Sequence, residues 1–226
     1  MQTTTSECVG DYVVLVHGLG RTHRSMKTPQ QFLEQRGYDV LNFSYPSTKY
    51  DIETLTQKYL HVFVQKCCHD PTKTIHFVTH SMGGILVRNY LEHNVLDNVG
   101  RVVMLAPPNQ GSEVVDWQRH WAIFRWLLGP AAQQLGTDEA HSLPLQLGPV
   151  SFELGVIAGD KSIELFHSRM IPGDDDGKVS VERAKVSGMK DFLLVHKTHT
   201  FMMKDRGVLQ QMEYFLRTGT FQQGNQ

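Results

Sequence analysis

Cysteine is scarce: the chain of 226 residues has three, Cys8 and the neighbours Cys67 and Cys68. Two adjacent thiols and a distant one offer neither a disulfide framework nor metal-ligand spacing, which points to a reduced compartment. Long apolar runs are also missing. No stretch approaches the roughly 18 consecutive apolar residues of a membrane span, so a transmembrane segment is not expected. Charge of one sign is not in excess either, because 22 Lys and Arg face 23 Asp and Glu, a formal net charge of −1. With no global positive field and no basic stripe interleaved with aromatics, nucleic acid is excluded as an expected partner. The opening residues MQTTTSECVGDY lack the basic start and apolar core of a signal peptide, so the expected location is the cytoplasm. Neither a linker nor an internal repeat divides the chain, and a single domain over residues 1–226 is expected.

What is present is a regular alternation. Tyr12 to Val16 is an apolar run without polar interruption, the pattern of a strand covered on both faces. Ser25 to Arg36 follows as a helix, with Met26, Phe32 and Leu33 available for a buried stripe and Gly37 at the C-cap. Strands over Val40–Phe43, Ile75–Thr79 and Arg101–Leu105 then alternate with helices over Ile52–Lys66 and Gly83–Glu92. Such alternation predicts an α/β fold with a doubly wound, mostly parallel sheet. Residues 109–150 break the rhythm: no strand-like run appears, and Trp117, Trp121, Phe124 and Leu128 recur at helical spacing, so an inserted helical segment is expected. Leu154–Ala158 resumes the sheet, Phe192–Val195 adds a strand, and Val208–Arg217 closes the chain as a helix before the polar tail FQQGNQ.

Residues 75–84 read IHFVTHSMGG: a buried strand, a serine in a tight turn and the start of a helix. A serine on a strained strand-to-helix turn exposes its hydroxyl, while the positions two before and two after it crowd together and favour small side chains. Gly83 meets that demand; Thr79 stands where glycine is usual. The helix that follows aims its amides and positive dipole end at any developing oxyanion. Ser81 could also be a plain N-cap, but strand, His80, Met82, Gly83 and Gly84 together favour a nucleophile.

HGLG after the first strand and THSMGG after the third resemble the α/β-hydrolase superfamily, especially its small bacterial esterases and lipases, over nearly the whole chain outside the inserted segment. The resemblance implies an α/β-hydrolase fold, an inserted cap or lid, and cleavage of carboxylic esters through an acyl-enzyme on Ser81. It also implies an oxyanion hole from the backbone amides of Leu19 and Met82, with Gly18 and Gly20 permitting close approach and His17 bracing the loop. A hydroxyl nucleophile needs a base, and a neutral imidazole suits neutral pH. Among twelve histidines, chain order decides, because this fold runs Ser, then Asp or Glu, then His. The segment FLLVHKTHTFMM offers His196 and His199; by resemblance His199 is the base and His196 the alternative. In GDDDGKVSV the family's acid motif, DG followed by Val, nominates Asp176 to hold the imidazole, with Asp175 and Asp160 as fallbacks. Three consecutive aspartates also suit a solvated acidic loop or a weak calcium site, and Asp174 and Asp175 are read as solvated.

The stretch APPNQGSE after Leu105 resembles the loop on the carboxyl edge where this family builds its pocket, which sets residues 109–150 above Ser81. Trp117, Trp121 and Phe124, with Trp126, Leu127 and Leu128, are the expected apolar surface for an acyl chain; the alternative is that they pack the insertion onto the domain. The expected substrate is a small-molecule or lipid acyl ester, with no cofactor and no metal. An acyltransferase or thioesterase would use the same residues. A dinucleotide-binding module is a further alternative, since Gly18 and Gly20 lie between strand and helix. Against it, His23 takes the third glycine's place and Asp39 precedes the second strand. A non-catalytic binding protein on the same scaffold would not need Ser81, Asp176 and His199 together.

Overall fold

The run Tyr12–Val16 forms the first strand, β1, with all five residues buried. Successive side chains of a strand point to opposite faces, and here Tyr12, Val14 and Val16 enter one apolar cluster while Val13 and Leu15 enter another. Burial on both faces is why the run shows no alternation. The computed structural model describes residues 10–118, 122–161, 175–176 and 178–222. Within them β2 is Asp39–Phe43, β3 Ile75–His80, β4 Val99–Leu105, β5 Leu154–Gly159 and β6 Asp191–Val195. They form one parallel sheet in the order β2-β1-β3-β4-β5-β6. The doubly wound α/β architecture that the alternation predicts is therefore present.

Parallel neighbours need crossovers, and the helices supply them. The described helices are α1 Lys27–Glu34, α2 Met82–His93, α3 Glu113–Gln118, α4 Ala122–Gln133, α5 Leu143–Gln146, α6 Val181–Ala184 and α7 Arg206–Thr218. A further helical stretch joins β2 to β3: Ile52–Thr54, a π-helical Leu55–His61 and Val62–Cys67. Its start is set by Asp51, whose carboxylate accepts from the Thr54 amide at 2.7 Å. In α7, Asp205 caps the first turn and Gly219, at φ 80°, ends the last; Val208, Leu209, Met212, Phe215 and Leu216 form its buried stripe.

Between β4 and β5 the described residues hold helices and no strand. Helix α4 is interrupted at Gly129, where φ is 74° and a Cβ would lie 1.7 Å from the Thr48 carbonyl oxygen. Only glycine fits that approach. Among the described residues no helix is long and apolar enough to cross a membrane.

From β1 the chain moves outward to β2, then returns to place β3 on the other side of β1. Such a reversal opens a crevice at the carboxyl ends of the two strands, where ligands of open α/β sheets bind. The loop after β1 is HGLG, and Ser81 follows β3.

Candidate active site

Register brings the first two groups together. Val16 pairs with Thr79, so the residues just beyond are neighbours, and a Cβ built on Gly18 would lie 3.0 Å from the Ser81 Cβ. Ser81 has φ 53° and ψ −126°, a backbone conformation that costs a residue with a side chain on the order of 1–3 kcal/mol. Two backbone hydrogen bonds hold it there: its amide donates to the Leu105 carbonyl and the Gly84 amide donates to its own, both at 2.9 Å. At Gly83 a Cβ would meet the Val16 carbonyl oxygen at 2.4 Å, so glycine is required at this position. Thr79 is fully buried. Its room comes from Gly84, where a Cβ would sit 3.3 Å from the Thr79 hydroxyl and 3.0 Å from the Met104 sulfur.

His199 and Asp176, 23 residues apart, meet in the folded chain. The His199 Nδ1–H donates to Asp176 Oδ2 at 2.8 Å, and both side chains are buried. That bond leaves the lone pair on Nε2. The other carboxylate oxygen, Oδ1, accepts from the amides of Lys178 at 3.0 Å and Val179 at 2.9 Å. The Asp176 carbonyl in turn accepts from the His199 amide at 3.0 Å, so backbone and side chain are locked together.

The sequence alternatives lie elsewhere. His196 is exposed and its Nδ1 contacts Asp160 at 2.8 Å; this pair of fallbacks does not line the cavity at Ser81. Asp175 corrects the solvated reading: it is buried and forms a bridge with Ser180. Asp174 lies outside the described residues. Asp39 sits at the start of β2 and pairs with Lys73 at 3.0 Å, at the opposite end of the sheet from Gly18. An acid for a ribose belongs at the far end of that strand, so the dinucleotide reading loses its remaining support.

A cavity of about 120 Å³ joins these parts. Gly18, Leu19, Ser81 and His199 line it from the sheet edge. Ser112, Val114, Val115, Leu128 and Leu135 line it from residues 109–150. Trp121 lies outside the described residues, as do the side chains of Trp117, Phe124, Trp126 and Leu127. Among the described residues the amides of Leu19 and Met82 find no acceptor.

Two residues of this site carry no signal in their local motifs, and a third stands in the serine motif with no role of its own assigned. Tyr45 stacks on His17, with ring centroids 4.2 Å apart, and donates its hydroxyl to the His17 carbonyl at 2.5 Å. The Ser47 hydroxyl accepts from the Gly20 amide at 3.0 Å. His17 itself donates Nδ1–H to the Gly18 carbonyl at 2.9 Å; burial lowers its pKa to about 4, so the imidazole is neutral. The HGLG loop is thus pinned by the segment after β2. The third is His80, whose Nε2–H donates to the His199 carbonyl at 2.9 Å while its ring lies 4.8 Å from the His199 ring. Burial, then the proximity of His199, holds His80 well below the usual histidine range.

The alpha/beta hydrolase family model matches residues 13–195. No curated protein matches the chain. Among solved structures it is similar to a mature lipase of Bacillus licheniformis, at 21% identity and TM-score 0.65, covering 93% of this chain and 92% of that one. It is also similar to a metagenomic carboxyl esterase, at 20% identity and TM-score 0.63, covering 84% and 65%. A third likeness is to the phospholipase PlaB of Legionella pneumophila, at 17% identity and TM-score 0.63, covering 78% of this chain and 45% of that one. At these identities the likeness is one of fold.

Proposed function

The chain belongs to the alpha/beta hydrolase family, and from that premise we propose that it cleaves carboxylic esters with Ser81 as nucleophile, His199 as general base and Asp176 as orienting acid. The observation that carries the reading is the cavity shared by a strained Ser81 and a His199 whose Nδ1–H is held by Asp176 at 2.8 Å. A base oriented in this way keeps its free lone pair on Nε2, the tautomer that proton abstraction needs.

In the first half-reaction Ser81 Oγ bonds to the ester carbonyl carbon as its proton passes to His199 Nε2. The resulting oxyanion accepts from the Leu19 and Met82 amides, the second of which opens helix α2. Collapse of the adduct breaks the bond to the alcohol, which leaves with the proton from His199, and the acyl group stays on Ser81. Water then gives a proton to His199 and attacks the acyl carbon; the acid departs and the proton returns to Ser81. Asp176 stabilises the transient imidazolium without accepting its proton.

Residues 109–150 are assigned as a cap, on the support that Val114, Val115, Leu128 and Leu135 form an apolar wall of the cavity. At about 120 Å³ the cavity is smaller than the roughly 300–1,000 Å³ typical of drug-sized sites, which favours short acyl groups. The test is hydrolysis of p-nitrophenyl esters of increasing chain length by wild type and Ser81→Ala. Ser81→Ala is expected to lose at least 10³-fold in kcat with an unchanged circular dichroism spectrum, and the wild type to favour chains of about four carbons or fewer. Full activity in Ser81→Ala rejects the assignment.

A further inference from the structure

The cavity at Ser81 carries two cations and, among its described lining residues, no carboxylate. Arg21 lies two residues beyond Leu19, and Lys178 two beyond Asp176, so each cation rides on a loop that also carries a proposed working part. Other cations along this edge are matched: Arg183 meets Glu113, Lys185 meets Glu182 at 2.7 Å, and Lys197 meets Asp205 at 2.6 Å. Arg21 and Lys178 have no carboxylate within ion-pair distance among the described residues.

Their loops are anchored. The Lys178 amide donates to Asp176 Oδ1 at 3.0 Å, and its carbonyl accepts from the Ser112 hydroxyl at 2.8 Å. The Arg21 amide donates to the Gly18 carbonyl at 3.2 Å, and its guanidinium donates to the hydroxyl of Thr200, the residue after His199, at 3.4 Å. Both charges are felt inside the site, since each adds to burial in disfavouring the protonated form of His80. The formal net charge of the whole chain is −1, so this positive field is local to the cavity. A local field of one sign in a cleft with apolar walls selects and steers ligands of the opposite sign.

Resting on the reading of Ser81 as an ester-cleaving nucleophile, we propose that the substrate is an ester bearing an anionic group, a carboxylate or a phosphate, close to the scissile carbonyl, and that Arg21 and Lys178 bind that group. The bond broken is still the carboxylic ester; the anion supplies recognition. Arg21 can grip a carboxylate or phosphate with two parallel N–H donors, whereas Lys178 acts as a point charge.

The test compares 4-butanoyloxybenzoate with its neutral methyl ester, each rate corrected for its hydroxide-catalysed hydrolysis, in wild type and the Arg21→Gln/Lys178→Gln double variant. Wild type should favour the anionic ester about tenfold in kcat/KM at 20 mM salt, the size expected for two solvent-facing cations. The preference should shrink severalfold at 500 mM salt, a readout that needs no variant. In the double variant the ratio of the two rates should fall to near one. A second arm pairs dibutanoylglycerol 3-phosphate with dibutanoylglycerol. Preference for the anionic member in either arm supports the inference, and the arm that shows it tells a small acid from a lipid phosphate. Equal rates in both arms for a wild type that hydrolyses the neutral esters through Ser81 overturn this inference alone, as does a preference that survives in the double variant. If no Ser81-dependent hydrolysis occurs, the reading of Ser81 falls and this inference with it.

Discussion

A buried histidine with no acidic partner stays neutral because desolvation penalises its cation. His80 is in that position, and its Nε2–H, donated to the His199 carbonyl at 2.9 Å, holds the loop that carries His199 in place. On the proposed reading of Ser81 and His199, that makes it a positioning residue. His80→Phe removes the donor and leaves a buried carbonyl unpaired, so the imidazole of His199 should drift from Ser81. Displacement of a working group by an ångström costs up to roughly a hundredfold in rate. Steady-state kinetics on a p-nitrophenyl ester should show kcat reduced tenfold to a hundredfold with KM within about twofold, and His80→Gln, which keeps a donor, should recover part of the loss. A raised KM with unchanged kcat would instead put His80 in substrate binding. The glycines around it are equally local in cause. Gly83 is required by the Val16 carbonyl 2.4 Å from a built Cβ, and Gly84 makes room for Thr79.

Elements made from contiguous pattern were legible, and those made by distant contacts were not. The apolar run at Tyr12–Val16 and the Gly37 stop needed only neighbouring residues to be read. The π-helical turn at Leu55–His61 has no counterpart in the sequence pattern. The local motif nominates Ser81, and the resemblance with its chain order nominates Asp176 and His199; the fold brings all three to one edge of the sheet. Tyr45 and Ser47 escape notice, and His80 reads only as part of the serine motif, because their roles are hydrogen bonds to residues 27 to 119 positions away. Arg88, on α2, is a further case. Its buried guanidinium donates to the Asn109 carbonyl at 2.9 Å and to the Leu147 and Gly148 carbonyls at 2.9 and 3.2 Å. One side chain thus ties both ends of the segment between β4 and β5 to the helix that follows Ser81. Burial lowers its pKa to about 10, which still leaves it charged at neutral pH. Arg88→Met should lower stability by about 1–3 kcal/mol through the unpaired carbonyls, measured by urea unfolding. Arg88→Lys should recover little, because a single ammonium cannot replace a planar fork that spans two strands of loop. A lysine variant as stable as wild type would show that joining the two ends is not what Arg88 contributes.

At the scale of the whole molecule, the same sheet that sets Leu19 beside Ser81 also buries imidazoles, and this gives the fold a distinctive acid response. His17, His76 and His80 all lie on or just beyond β1 and β3, and burial lowers the pKa of each, that of His17 to about 4. In the unfolded chain these groups titrate near 6.5. Between those values the unfolded state binds more protons than the folded one, so stability rises with pH there. The contribution is complete above about pH 6.5 and is lost as the pH falls toward 4. Carboxylates act in a lower window: hydrogen bonds hold Asp51, Glu153 and Asp205 below their ordinary values, so their contribution disappears only as the pH drops below about 4. Urea unfolding at pH 7.5, 5.5 and 4.5 should therefore show a loss of stability already under way at pH 5.5, before the carboxylates protonate. Replacing His17 by Asn removes one titrating imidazole, and the drop between pH 7.5 and 4.5 should shrink by roughly 2–3 kcal/mol, the free energy linked to the His17 shift. A His17→Asn variant that loses as much stability as wild type over that interval would rule out His17 as a source of the acid limb.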